Sequence, residues 1–138
     1  MQGTFLDTNI FLRHLLNDVP SQSAAAHRLI KALEAGSVRG WTSPLVVAEI
    51  VFVLENPKTY HIARPVIAEN LLLLLGLAHL RIDHKRLYPR VFELYVTRPI
   101  DYVDAYHAAL LEHGRQDELY SFDQDFDLID RLRRRAPA

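Results

Sequence analysis

Apolar residues open the chain as Thr4, Phe5 and Leu6, stop at Asp7-Thr8-Asn9, and return at Ile10, Phe11, Leu12, Leu15 and Leu16. A short apolar run, a polar turn and then helical spacing predict strand, turn and helix. Asn17-Asp18-Val19-Pro20-Ser21 reads as a turn and cap cluster, before a helix from about Gln22 to Ala35 that Gly36 ends. Gly40-Trp41-Thr42 predicts a second short strand. Ser43-Pro44 starts the next helix, with serine as N-cap and proline in the first turn, and Leu45 to Leu54 continue it as far as Asn56-Pro57. A fourth helix covers roughly Pro65 to Leu75, and His79-Leu80-Arg81-Ile82 form a third strand. Asp83 is expected to cap a helix from about His84 to Val96, which Arg98-Pro99 breaks. Asp101 opens a helix over Tyr102 to His113, and after Gly114 the run Leu119-Tyr120-Ser121-Phe122 is the last clear strand, ending at Asp123.

Short strands alternating with helices predict an α/β fold, an open and mostly parallel sheet covered by helices on both faces. Ligands of such sheets bind beyond the carboxyl ends of the strands, where Asp7 and Asp123 stand. The chain has 138 residues, 49% of them hydrophobic, which suits a single domain over 1–138 with one core. Charged residues make up 24% and the formal net charge is -1, so the chain reads as globular, and its charge neither shows nor excludes nucleic-acid binding. The absence of cysteine excludes disulfides, thiolate zinc sites and a cysteine nucleophile, and it agrees with a reducing cytoplasm. Any metal is therefore held by oxygen or imidazole. The strongest apolar run, Leu71 to Leu75, falls far short of the roughly 20 residues that span a bilayer, and Asp7 interrupts the only early apolar stretch, so neither a membrane span nor a signal peptide is expected.

The acidic residues carry the chemistry. Asp7 follows the first strand, where an N-cap role and a site role weigh equally. Glu49 is the only charged residue from Pro44 to Leu54, and an unpaired carboxylate buried with that helix would need a cation, a proton or strong donors. Asp101 and Asp104 are three residues apart on one helix and can face the same side. Asp101 fits a cap, whereas Asp104 lies beside Ala105, Ala108 and Ala109, small residues that would let the helix approach the sheet. Asp123 follows a strand with Ser121 on its side; Asp125 and Asp127 read as cap or surface residues and Asp130 as a solvated ion-pair partner. Carboxylates at strand ends and apolar helix faces of four separate segments suit a hard divalent ion, magnesium or manganese. Such an ion can activate a water against a phosphodiester.

These segments carry a family resemblance. Asp7-Thr8-Asn9-Ile10, followed by Leu12-Arg13, resembles the opening of PIN-domain proteins. Ser43-Pro44-Leu45-Val46-Val47-Ala48-Glu49 is similar to their second motif, Asp101-Tyr102-Val103-Asp104-Ala105 to the third and Ser121-Phe122-Asp123-Gln124-Asp125-Phe126 to the fourth. The resemblance implies that Asp7, Glu49, Asp104 and Asp123 are the metal-site acids, with Asp101 as an auxiliary and Thr8, Asn9 and Ser121 as polar support. It implies a three-layer α/β/α sandwich around a central, mostly parallel sheet of four or five strands. It also implies magnesium- or manganese-dependent endonucleolysis of RNA, and often a homodimer. Compact members of this length resemble the VapC-type toxins of VapBC toxin-antitoxin modules, which a cognate antitoxin neutralises. The chain departs from the pattern after Phe126, where Asp127-Leu128-Ile129-Asp130-Arg131-Leu132 leads to Arg133-Arg134-Arg135 without a clear final apolar strand, leaving the fifth strand open.

Arg13, Lys58, Arg64, Lys85, Arg86, Arg90 and the terminal arginines are the cations on offer for phosphate contacts, with Arg13, just beyond Asp7, the foremost RNA-backbone candidate. The seven histidines show no ligand pairing, although His107 falls three residues after Asp104. The leucines of Leu71 to Leu75 and Tyr60 fit core packing as well as a partner surface. An alternative reading is a catalytically silent PIN-like module that only binds RNA or protein; the presence of all four acids speaks against it. A haloacid-dehalogenase-like phosphatase would carry Asp-x-Asp where this chain has Asp7-Thr8-Asn9, and a phosphoacceptor receiver domain would need a third-strand aspartate with a late lysine, whereas Asp83 reads as a cap.

Overall fold

Thr4–Phe5 (β1), Gly40–Trp41 (β2) and Leu80–Arg81 (β3) lie side by side and parallel in a computed structural model that describes residues 3–138. They belong to the first of two compact units, Met1–Lys85 and Arg86–Ala138. Thr4 stands opposite Gly40 and Phe5 opposite Trp41, and Gly40 and Trp41 in turn face Leu80 and Arg81. Parallel neighbours need long crossovers. Helices α1 (Thr8–Leu16) and α2 (Pro20–Ala35) supply the first, and α3 (Pro44–Glu55) and α4 (Arg64–Leu75) the second.

Local chemistry sets the helix ends. Helix α2 starts at Pro20 rather than Gln22, because the missing proline N–H is one that a first turn leaves unused. Gly36 ends it with left-handed backbone at φ 82°. The Ser43 side chain accepts the Val46 amide at 3.4 Å at the start of α3, where Pro44 takes the first turn. One face of α3 is buried through Val46, Val47, Ile50, Val51 and Leu54, leaving Leu45 and Phe52 exposed. The leucine run of α4 divides in the same way, with Leu71, Leu74 and Leu75 in the core and Leu73 outside.

A 3₁₀ turn at Lys85–Leu87 spans the boundary of the units, and the second unit continues with α5 (Tyr88–Thr97), α6 (Tyr102–His113), β4 (Glu118–Tyr120), another 3₁₀ turn at Gln124–Leu128 and β5 (Arg133–Arg135). Helix α5 begins at Tyr88, not His84, and its N-cap is Leu87, so Asp83 caps no helix. Pro89 fits only a first turn, and His84 holds φ 57°, outside the helical range. Helix α5 packs on α6 through an aromatic cluster in which the Tyr102 ring lies 5.5 Å from Phe92 and 5.9 Å from Tyr95. Ala105, Ala108 and Ala109 are fully buried, and within this unit α5 is the helix packed against theirs.

The fifth strand exists, and it is made of arginines. Arg133, Arg134 and Arg135 run parallel to Glu118, Leu119 and Tyr120. Arg133 pairs with Asp117 at 3.0 Å and Glu118 at 3.3 Å, and Arg135 with Glu118 at 3.4 Å, so opposite charges face one another across a ladder that no apolar run marks. The expectation of an α/β fold with parallel pairing holds, but not as one sheet of four or five strands. The strands divide into a three-stranded and a two-stranded ladder, each strand being two or three residues long and able to make only a few ladder bonds. Among the described residues no helix is long and apolar enough to cross a membrane.

Gly40 sits at the tightest point of the first sheet: a Cβ there would collide with the Leu6 side chain and stand 3.1 Å from Leu33, both of them buried. Gly40→Ala is expected to cost about 1–3 kcal/mol by overpacking, read as a lower urea midpoint with an unchanged denaturant slope. An unaltered midpoint would show that Leu6 moves aside freely.

Candidate active site

Asp101 closes the turn before α6, accepting the Asp104 amide at 2.8 Å through its own carboxylate. An aspartate cap satisfies a free amide and complements the positive end of the helix. With that turn set, Asp104 is half-buried, and its Oδ2 is closed off from solvent without a hydrogen-bond partner.

The loop after β4 brings further acids to the same place. Ser121 Oγ accepts the Asp123 amide at 2.9 Å, and Asp123 Oδ1 accepts the Asp125 amide at 2.9 Å, two successive turns closed by side chains. Arg134 on β5 braces the loop from behind. It forks onto Asp127 at 3.0 and 3.2 Å and donates to the Ser121 carbonyl at 3.1 Å. One carboxylate oxygen from each of Asp104, Asp123 and Asp125 then lies within 4.8 Å of the others. A cavity of about 460 Å³ opens beside them, with His107 and Tyr120 among its walls.

Burial, then the charge of Asp101, then a hydrogen bond with the Asp123 carboxyl and the charges of Asp123 and Asp125, push the Asp104 carboxyl up to about 7. A carboxyl so raised keeps its proton toward the neutral range. A partnerless buried oxygen, a raised carboxyl and a donor set made wholly of oxygen fit a hard divalent cation, which would replace that proton.

Of the acids expected from sequence, the second unit thus brings Asp104 and Asp123 together, with Asp101 as cap and as a source of charge on Asp104. It adds Asp125, which the sequence places among caps and surface residues; it is half-buried and the third member of the group. The only signal for it is its two-residue spacing from Asp123 at the head of a tight 3₁₀ turn. Ser121 supports Asp123 as described. Arg134, which reads as an ordinary tail charge, is the residue sequence reasoning misses most clearly.

Asp7 and Glu49 lie in the first unit, and both are exposed. Asp7 stands at the N-cap position of α1 but makes no capping bond, leaving its carboxylate to solvent. The buried Thr42 hydroxyl donates to the Leu6 carbonyl at 2.8 Å and secures the strand end that delivers Asp7, a role with no sequence signal. Thr8 is buried with its hydroxyl unpartnered, and Asn9 is exposed. Glu49 does not lie on a buried face. It shares the outer side of α3 with Leu45 and Phe52, because the helix carries more apolar residues than one face can bury. The case for Glu49 from burial therefore lapses, and the motif match alone carries it.

Arg13 is not a free cation either. Its guanidinium pairs with Asp18 at 2.9 Å, and the Tyr60 hydroxyl donates to the other Asp18 oxygen at 2.9 Å. Lys85 donates to the Leu77 and Leu80 carbonyls, Arg64 pairs with Glu55, Arg90 forks onto Glu112, and the tail arginines are paired as described. Most cations that the sequence offers for phosphate contacts are engaged within the protein.

A family model described as PIN domain matches residues 4–132. No curated protein matches the chain.

A carboxyl raised from 3.8 to about 7 favours the fold while it is neutral, and that contribution is lost as pH rises through about 7. In chelator the thermal midpoint is therefore expected to fall from about pH 4 to above about pH 7, with Asp104→Asn flattening the fall and magnesium reversing it at the alkaline end. An equal fall in Asp104→Asn would place the titration elsewhere. Arg134→Ala is expected to speed hydrogen exchange at the Asp123 and Asp125 amides by about tenfold while α5 amides keep their protection. Arg134→Lys should restore little, because an ammonium cannot fork onto Asp127. Unchanged exchange in Arg134→Ala would show that the loop holds itself.

Proposed function

The chain belongs to the PIN domain family, a nuclease fold whose members are typically metal-dependent, and from that premise we propose that it is an endoribonuclease using Asp7, Glu49, Asp104 and Asp123. The observation that carries this reading is the gathering of one carboxylate oxygen from each of Asp104, Asp123 and Asp125 within 4.8 Å, beside the buried and partnerless Oδ2 of Asp104. Asp104 and Asp123 are the residues that would hold magnesium or manganese, with Asp125 as a further donor and Asp101 as an auxiliary. When bound, such an ion supplies positive charge for the phosphodiester and acidity for a water.

The protein's own residues prepare the site. Asp101 holds the first turn of α6, so that Asp104 is aimed before any ligand arrives. Ser121 and Arg134 hold the loop that carries Asp123 and Asp125. Such preorganisation leaves little ordering to be done during the reaction. Asp7 and Glu49, with Thr8 and Asn9 as polar support, enter the proposal through the order and spacing of the family motifs.

The finer reading is a VapC-type toxin of a type II toxin-antitoxin pair, acting on RNA in the cytoplasm as a homodimer and neutralised by a cognate antitoxin. Its support is the four-motif resemblance on a chain of 138 residues.

Purified protein is expected to cut total bacterial RNA with magnesium or manganese and not with chelator. Asp104→Asn and Asp123→Asn should each lower the rate by about 100-fold or more without loss of the fold, and Asp7→Asn and Glu49→Gln likewise. Cleavage that survives Asp104→Asn would remove the site. A folded protein that binds RNA but never cuts would establish the silent binding module instead.

A further inference from the structure

The cavity beside the acids is lined on one side by α6 and on the other by the end of β4 and the loop that follows. Asp104 and Asp123 stand at it, while Leu111, Leu119 and Phe126 give it an apolar lining. Tyr120 also lines it, with 72% of its surface exposed. No lysine or arginine contributes to the lining. A volume of about 460 Å³ lies within the range of small-ligand sites, about 300–1,000 Å³.

We propose that this cavity receives an unpaired nucleobase of single-stranded RNA, stacked on Tyr120, from a nucleotide next to the phosphate being cut. The inference rests on the nuclease reading and extends it to the substrate. A phosphate does not suit the cavity, because the charges at it are carboxylates and no fixed cation lines it. A flat aromatic ligand suits it: the walls are apolar, the Tyr120 ring is open to solvent, and His107 and Ser121 offer polar atoms to the edge of a base. Sequence-selective RNA recognition works largely this way, through unstacked bases laid on aromatic rings with polar groups along their edges. Base and phosphate belong to one nucleotide unit, so a base pocket has to adjoin the acids. Tyr120 is then a specificity-determining residue for the same reaction.

The test uses the full chain and short single-stranded RNAs carrying 2-aminopurine at one position at a time, mixed rapidly in magnesium. Stacking on Tyr120 is expected to quench one position more than the others. Tyr120→Ala should weaken binding by about tenfold, raise KM correspondingly with kcat changed less than about twofold, and flatten the base preference at that position, whereas Tyr120→Phe keeps all three. Phe122→Ala is the control, because that ring is 79% exposed yet does not line the cavity, and it should change none of them. A Tyr120→Ala protein that cuts with unaltered KM and base preference overturns the pocket and leaves the nuclease standing. Quenching that depends on Tyr120, without any cleavage, keeps the pocket and overturns the nuclease; neither quenching nor cleavage overturns both.

Discussion

Carboxylates repel one another, and three of them within 4.8 Å form a structure that opposes itself. Metal-free, the group relieves the conflict by keeping a proton on Asp104, whose carboxyl is raised to about 7 by burial and by its neighbours. The rest of the second unit is the means of holding the group together against that repulsion. Backbone amides supply part of the answer, since Asp101 and Asp123 each accept one, and the positive end of α6 lies at Asp101. Arg134 supplies another part by fastening the loop through Asp127 and the Ser121 carbonyl, without placing its charge on the three acids by a direct bond. A cation bonded directly to them would compete with a metal; one bonded behind them only steadies the loop.

Asp123 does two jobs, closing a turn and taking a place in the acidic group, so a capping role does not exclude a place in that group. Asp123 accepts the Asp125 amide through Oδ1 and still presents a carboxylate oxygen to the group. A carboxylate has two oxygens and about four lone-pair directions, so one bond to the backbone leaves ample capacity for a second partner. Asp7 shows the opposite case, standing where a cap belongs and making no capping bond.

The three strands and four helices of the first unit and the helix behind Asp101 are legible from hydrophobic spacing and from Ser43-Pro44, Gly36 and Asp101 as punctuation. Asp104 and Asp123 are legible because each lies beside an apolar run while carrying a charge. Three features escape. The start of α5 escapes because Asp83 offers a cap and Pro89, a few residues on, overrules it. The fifth strand escapes because its pairing rests on Asp117 and Glu118 facing arginines, a cross-strand complement that no period of apolar residues reports. Arg134 escapes because alternate side chains in Arg133–Arg135 have different fates, and only the ladder shows which one turns back to the loop. Glu49 fails in the other direction: its lone charge suggests burial, and the exposed Leu45 and Phe52 show that an apolar helix can leave apolar side chains outside.

The pairing of cations bears on how such a protein could grip a polyanion. Lysine and arginine number 16 against 17 aspartates and glutamates, and Arg13, Arg64, Arg90, Arg133, Arg134 and Arg135 each have a carboxylate partner. A charge already answered by a near neighbour adds little to the long-range field that draws a nucleic acid. If the chain acts on RNA as proposed, these six arginines contribute less to a basic stripe than unpaired cations would. Under that proposal, contacts made at the site of cutting would discriminate among sequences, whereas a uniform basic surface would hold every RNA alike.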